Sequence, residues 1–205
     1  MSIDNESYRA GFAEHYEEGT PVWDIGRPQP PFIKITDQIE GPILDVGCGT
    51  GTVALFFASQ GKEVTAIDLV DEAIRRAKEK AAGKNLPVEF HVKDVFTLTD
   101  WNRKFASVID SGLFHVFAND DERRGRYFEI LKHVLQPGGR IYLMATLGLL
   151  NMNAEEFKSL FSEDWEIESF QEFVAEVPED AAEKYPDIPK DFSWDSCFAV
   201  IRQKV

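Results

Sequence analysis

The chain of 205 residues predicts a three-layer α/β sandwich: a mostly parallel, seven-stranded sheet between helices, closed by an antiparallel C-terminal hairpin. Three observations predict it. Short β-rich runs alternate with helical patterns between residues 43 and 146, as strand–helix–strand units of a parallel sheet require. Two later strand-like segments, 165–173 and 192–203, have no long crossover helix between them and can therefore pair antiparallel. A glycine-rich loop follows the first strand, at the strand end where open parallel sheets hold ligands.

In chain order, the first strand is Ile43–Val46, followed by a helix over 52–60 that Gly61 stops. A second strand spans 63–67. The next helix, 71–82, carries Ala73, Ile74, Ala77 and Ala81 on one face, and Gly83 stands where it should end. Strands follow at Val88–Val92 and at 105–109. Asp120 or Asp121 caps a long helix whose apolar face is Phe128, Leu131, Val134 and Leu135. The turn QPGGR, 136–140, leads into a fifth strand over 140–146, and 154–161 reads as a helix. The three-proline linker 176–191 should be loop or short helix. No composition break divides the chain, so one domain is expected over 1–205, in three parts: 1–40, 41–146 and 147–205.

Composition narrows the function. Hydrophobic residues are 43% and charged residues 28%, ordinary for a water-soluble globular protein. No apolar run is long enough for a membrane helix, and the acidic N-terminus lacks a basic-then-apolar leader pattern. Cys48 and Cys197 form neither a disulfide framework nor a zinc cluster, so a reducing cytoplasm and no metal are expected. A formal net charge of -14 repels phosphate backbones, which excludes nucleic acid as the natural partner. Residues 154–191 hold thirteen acids against three lysines, either a solvated surface or a negative rim that favours a cationic ligand.

The stretch ILDVGCGTGTVALFFASQGKEVTAIDL carries the chemistry. Glycines at 47, 49 and 51 can take positive φ and let a ligand approach the backbone, and the helix start behind them favours polar or anionic groups. A dinucleotide fingerprint needs glycine at position 52, where Thr52 stands, and no lysine follows in the triphosphate-binding manner. Asp68 closes the second strand, where a carboxylate can accept hydrogen bonds from both hydroxyls of a ribose.

With the later stretches VKDVF, VIDSGLFHVF and VLQPGGRIYLM, in that order and spacing, the chain resembles the class I S-adenosylmethionine-dependent methyltransferases over about residues 43–145. The resemblance implies a Rossmann-like fold with S-adenosylmethionine as cofactor. It implies that Gly47, Cys48, Gly49 and Gly51 pass beneath the methionine portion, with Asp45 below its amino group. Asp68 and Leu69 would meet the ribose, and Asp94 and Val95 the adenine. Asp110 and Ser111 would end the fourth strand beside the methyl group. The segment EEGTPVWDIGRPQP resembles thiopurine and halide/thiol methyltransferases, in which an N-terminal helix and loop form a lid. That likeness makes Trp23 the loop tryptophan over the cofactor and has Asp24 and Arg27 organise the turn. Phe12 and Tyr16, one helical turn apart, replace tryptophans of that group.

A small-molecule methyl acceptor is expected, with a thiol or other soft nucleophile first. An oxygen or nitrogen acceptor would call for a base, and His115, just past the fourth strand, is the candidate; it can equally line the pocket. His15 and His133 read as surface residues, and His91 lies inside a strand. Met144, Phe114, Phe117 and Tyr142 line an apolar cavity or belong to the core. The DSGL ending of the fourth strand lacks the motif of many nitrogen-methylating enzymes, a further argument against DNA or RNA. A non-catalytic cofactor-binding protein is the reading from another class. The expected assembly is a monomer or homodimer.

Overall fold

A computed structural model of the chain describes residues 5–161, 164–178, 181, 192 and 194–204. Its strands are β1 (Ile43–Val46), β2 (Val64–Asp68), β3 (Val88–Val92), β4 (Phe105–Ser111), β5 (Leu135–Thr146), β6 (Trp165–Val174) and β7 (Asp195–Gln203). They form one sheet in the order β3-β2-β1-β4-β5-β7-β6. The first five run parallel, and β7 lies antiparallel between β5 and β6. The chain builds outward from β1 to β3, then returns and builds the other way from β4. The crevice between β1 and β4 is thus the switch point of the sheet.

Helices α1 (Asn5–Glu17), α2 (Pro30–Lys34), α3 (Thr52–Ser59), α4 (Asp71–Lys84), α5 (Asp121–Val134), α6 (Leu147–Leu150) and α7 (Ala154–Lys158) surround it. Strand alternation feeds two cores. Ile43, Val64, Ala66 and Ile109 pack against α2, α3 and α4 on one face. Leu44, Val46, Val108, Leu143 and Ile201 pack against α5 and α7 on the other. Asp120 caps α5 by accepting the Arg123 N–H (3.0 Å), as its position ahead of the apolar stripe implies.

Several boundaries differ from expectation. Helix α4 runs through Gly83 and ends where Asn85 takes the left-handed conformation (φ 51°), because asparagine can also serve as that cap. Strand β5 begins at Leu135, pairing with Phe105 before an irregularity that absorbs the PGG turn. Helix α7 stops at Lys158 and β7 starts at Asp195, both shorter than their apolar patterns. Residues 179–180 and 182–191 of the proline-rich linker lie outside the described residues. Acids of the C-terminal third pair with bases across the outer strands: Glu168 with Arg140 (2.6 Å), Glu166 with Arg202 (2.8 Å) and Asp164 with Lys132 (2.7 Å). Six of the thirteen acids of that stretch, Glu163, Glu179, Asp180, Glu183, Asp187 and Asp191, lie outside the described residues, and with them the choice between a solvated surface and a negative rim. No described helix is long and apolar enough to cross a membrane.

Candidate active site

A cavity of about 790 Å³ lies over the carboxyl ends of the strands, within the roughly 300–1,000 Å³ usual for a small-molecule site. Its first half covers β1, β2 and β3. Gly47 (φ 65°) and Gly51 (φ 79°) turn the chain from β1 into α3. A Cβ on Gly47 would meet Leu113 at 2.9 Å, and one on Gly51 would meet the Phe90 ring at 2.9 Å, so the loop's path admits glycine only. Asp68 fixes the loop: its carboxylate accepts the Gly49 N–H (2.8 Å) and the Val70 N–H (2.9 Å). Burial pushes its pKa up, and those N–H groups restrain the rise.

Asp45 lies beneath this loop, 1% exposed, and neither carboxylate oxygen has a hydrogen-bond partner. Burial pushes its carboxyl well above the ordinary range, and the Asp110 charge adds to the effect. Asp110 is also buried and accepts the Tyr127 hydroxyl (2.5 Å) and the Leu113 and Phe114 N–H groups (2.8 and 3.1 Å). Burial raises it to about 6. At the far end of this half, Asp94 caps a short turn through the Phe96 N–H (2.9 Å) while lining the cavity beside Val95.

The N-terminal segment roofs the cavity. Helix α1 is held down by Arg76, which donates to the carbonyls of Tyr16 (2.5 Å) and Gly19 (2.6 Å). Trp23 is met edge-on by Phe12, His15 and Tyr16, with ring centroids 5.8, 5.2 and 6.3 Å away. The Tyr16 hydroxyl lies 3.0 Å from where a Cβ on Gly49 would sit, and burial raises its pKa. Asp24 ties the roof to the glycine loop by accepting the Thr50 (2.5 Å) and Thr52 (3.0 Å) hydroxyls and the Lys80 ammonium (3.1 Å). Burial opposes the Asp24 charge, but the Thr50, Lys80 and Thr52 donors outweigh it and lower its pKa. Farther along, Gln29 and Glu176 form a clasp. The Gln29 amide donates to the Glu176 carbonyl (2.8 Å) and accepts its N–H (2.9 Å), while Arg27 pairs with the Glu176 carboxylate (2.8 Å).

The second half of the cavity covers β4, β5 and the hairpin. It is lined by Ser111 at the end of β4 and His115 past it, Met144 and Thr146 on β5, Leu149 on α6, and Ala175, Val177 and Trp194 flanking the C-terminal strands. The Thr146 N–H donates to His115 Nδ1 (3.3 Å), which assigns the ring proton to Nε2. Burial lowers the His115 pKa to about 4. The imidazole is therefore neutral at physiological pH, a weak base whose Nε2–H is a hydrogen-bond donor.

Of the residues singled out from sequence, Tyr16, Trp23, Arg27, Asp45, Gly47, Cys48, Gly49, Asp68, Leu69, Asp94, Val95, Ser111 and His115 all line the cavity. Gly51 and Asp110 do not: Gly51 caps α3 and Asp110 holds the turn after β4. His15 lines the cavity against Trp23, contrary to its reading as a surface residue, because α1 turns that side inward. Met144 and Phe117 also line it, Phe114 is core, and Tyr142 packs on the other face of the sheet beside Phe198. Gln29, Thr146, Leu149 and Trp194 were missed, since their partners are distant in sequence and no motif marks them. Among the described residues, no group of three His, Cys, Asp or Glu side chains is placed to hold a metal ion.

The residues present fit S-adenosylmethionine. An orphaned buried carboxylate suits the ammonium of its methionine portion, the glycine cradle leaves no room for a side chain, and the cavity continues past Asp68 to Asp94. Comparison with known proteins agrees. A methyltransferase-domain family model matches residues 43–139. The chain is 35% identical over 141 residues to a 2-heptyl-1-hydroxyquinolin-4(1H)-one methyltransferase of Mycobacteroides abscessus, covering 67% of this chain and 61% of that relative. An uncharacterized methyltransferase of Schizosaccharomyces pombe is 32% identical over 103 residues, 50% of this chain and 70% of its own. A structure solved in work on the conversion of a disulfide bond into a thioacetal group during echinomycin biosynthesis superposes with a TM-score of 0.79 at 28% identity, covering 96% and 92% of the two chains. The fold and site define a class I S-adenosylmethionine-dependent methyltransferase. The chain belongs to that class, and S-adenosylmethionine is its cofactor.

Proposed function

We propose that the chain, acting as one domain, methylates a small and largely apolar acceptor whose nucleophilic atom needs no protein base. A thiol comes first, and an acidic N-hydroxy or phenolic oxygen second. The observation that carries this reading is the state of the two titratable groups on the acceptor side. His115 is neutral with Nδ1 engaged, and Glu176 is paired with Arg27. The likeness of residues 17–30 to thiopurine and halide/thiol methyltransferases favours sulfur. The Mycobacteroides relative, named for a 1-hydroxyquinolinone, favours oxygen.

S-adenosylmethionine supplies a methyl group on a positively charged sulfur. The chain's own residues do the rest. Asp45 would accept from the ammonium and Asp68 from the ribose hydroxyls, and Asp94 with the Val95 backbone would meet the adenine edge. Trp23 and Tyr16 roof the site and exclude water, and their ring faces attract a cation. His115 donates through Nε2–H to orient the acceptor and removes no proton. In-line placement of two bound molecules can lower the barrier by about 7 kcal/mol or more.

The test is methyl transfer from labelled S-adenosylmethionine to a panel of alkyl and aryl thiols, a thiopurine, iodide, phenols and N-hydroxyquinolones. Expected is transfer to thiols or acidic hydroxyls, with a rate that follows the ionised fraction of the acceptor. His115→Gln, which keeps a donor, should stay within about tenfold of the parent. A hundredfold loss in His115→Gln at every pH would overturn the base-free reading.

A further inference from the structure

We propose that the acceptor is an amphiphile: its reacting polar head lies beside His115, and an apolar tail leaves the cavity past Leu149. The inference rests on the acceptor site described above and adds the class of molecule that fills it.

Polarity in the second half of the cavity is graded. Close to the switch point stand Ser111 and the His115 ring with its Nε2–H. Thr146 comes next, but it is 3% exposed and its hydroxyl already accepts the Ser196 hydroxyl (3.3 Å), so it offers little to a ligand. Apart from Met144, which pairs with Ser111 at the inner end, the rest of this lining is apolar and lies past the strand ends: Leu149, Ala175, Val177 and Trp194. The one charged pair there, Arg27 with Glu176, neutralises itself.

This apolar stretch opens to solvent. Leu149 is 52% exposed and Trp23 44%, yet both line the cavity. They are two of the five large, exposed apolar side chains among the described residues, which places exposed apolar surface at the opening of the site. Such a patch continuous with a ligand cavity marks surface that a ligand covers. A compact polar acceptor would leave it wet, whereas an alkyl or aryl chain anchored by its head at His115 would cover it. The Mycobacteroides relative is named for a substrate of this build, a polar bicycle with a heptyl chain.

The experiment is calorimetric titration of the full chain saturated with S-adenosylhomocysteine, so that no turnover is needed. The probes are two homologous series, n-alkanethiols and 2-alkyl-1-hydroxyquinolin-4(1H)-ones, each from short to long chains. Affinity should rise about three- to fourfold per added CH₂, the equivalent of about 0.8 kcal/mol, in at least one series. Leu149→Asp should cost the longest members tenfold or more and leave the shortest unchanged. Leu149→Ala, which suits the helix, should show a smaller loss in the same direction. Affinity that is flat with chain length, or that ignores both substitutions while S-adenosylhomocysteine binds normally, would overturn the tail alone. Failure of S-adenosylhomocysteine to bind would overturn both this inference and the function on which it rests.

Discussion

Asp45 shows how a single residue can trade stability for binding. A buried carboxyl with no partner penalises the fold, and on the proposed function the chain tolerates it because a cationic group is received there. Because its folded pKa is raised, the folded chain keeps this proton to higher pH than the unfolded chain. The resulting stabilisation is complete below the ordinary carboxyl value of about 4 and is lost as pH rises through the raised value. Asp110, at about 6, adds to the same trend. Asp45→Asn should therefore raise the Tm of the cofactor-free protein at pH 8 by several degrees, at roughly 2–4 °C per kcal/mol, with the gap closing towards pH 4. Calorimetric scans across that range would show it. The same variant should bind S-adenosylhomocysteine at least tenfold more weakly, and the parent should release protons on binding near neutral pH, seen by titration in buffers of different ionisation enthalpy. Asp68→Ala should lose about 1–3 kcal/mol of cofactor affinity, because a charged acceptor and the brace of the Gly49 N–H go together. Asp68 was legible because it closes β2, and Asp45 because the glycine-loop motif carries it. The state of His115 was not, since it depends on a backbone N–H 31 residues away.

Among the elements, the roof is the piece built from the most distant parts. Residues 17–30 touch α4 through Arg76, the glycine loop through Asp24, and the segment after β6 through Gln29. The Gln29 clasp spans 147 residues of chain and copies the two-way bonding of a β-bridge with one side chain. Gln29→Ala removes both bonds. Hydrogen exchange should quicken over 19–29 and 174–177 while β1 to β5 stay protected. The KM for the acceptor should change more than the affinity for S-adenosylhomocysteine, since the clasp lies over the acceptor half. Equal protection in parent and variant would assign the closure of the roof to Asp24 and Arg76 instead. The resemblance of residues 17–30 singles out Trp23, which lines the cavity, but not what fastens the segment. Side-chain-to-backbone bonds across such a separation leave no periodicity to read.

In the whole molecule, the parallel sheet and its flanking helices followed from the alternation of β and α patterns, because burial on both faces forces apolar runs such as 141–145 of β5. What escaped were segments with weak periodicity: the short helix α6, the turns at 95–100 and 114–116, and the true start of β5. The core on the α5 face centres on Phe114, fully buried among Phe117, Tyr127, Phe128, Phe157 and Phe161. Phe114→Ala should cost about 3–5 kcal/mol and lower the Tm by about 10 °C or more in thermal melts. The division of the sheet edge has a further consequence. On the proposed function, grip on the donor is vested in β1 to β3, while the acceptor meets β4, β5 and the hairpin, so the two duties draw on largely separate stretches of sequence. Descendants of such a chain can rewrite their tail end and acquire new tastes in substrate, while inheriting the handling of the methyl donor untouched.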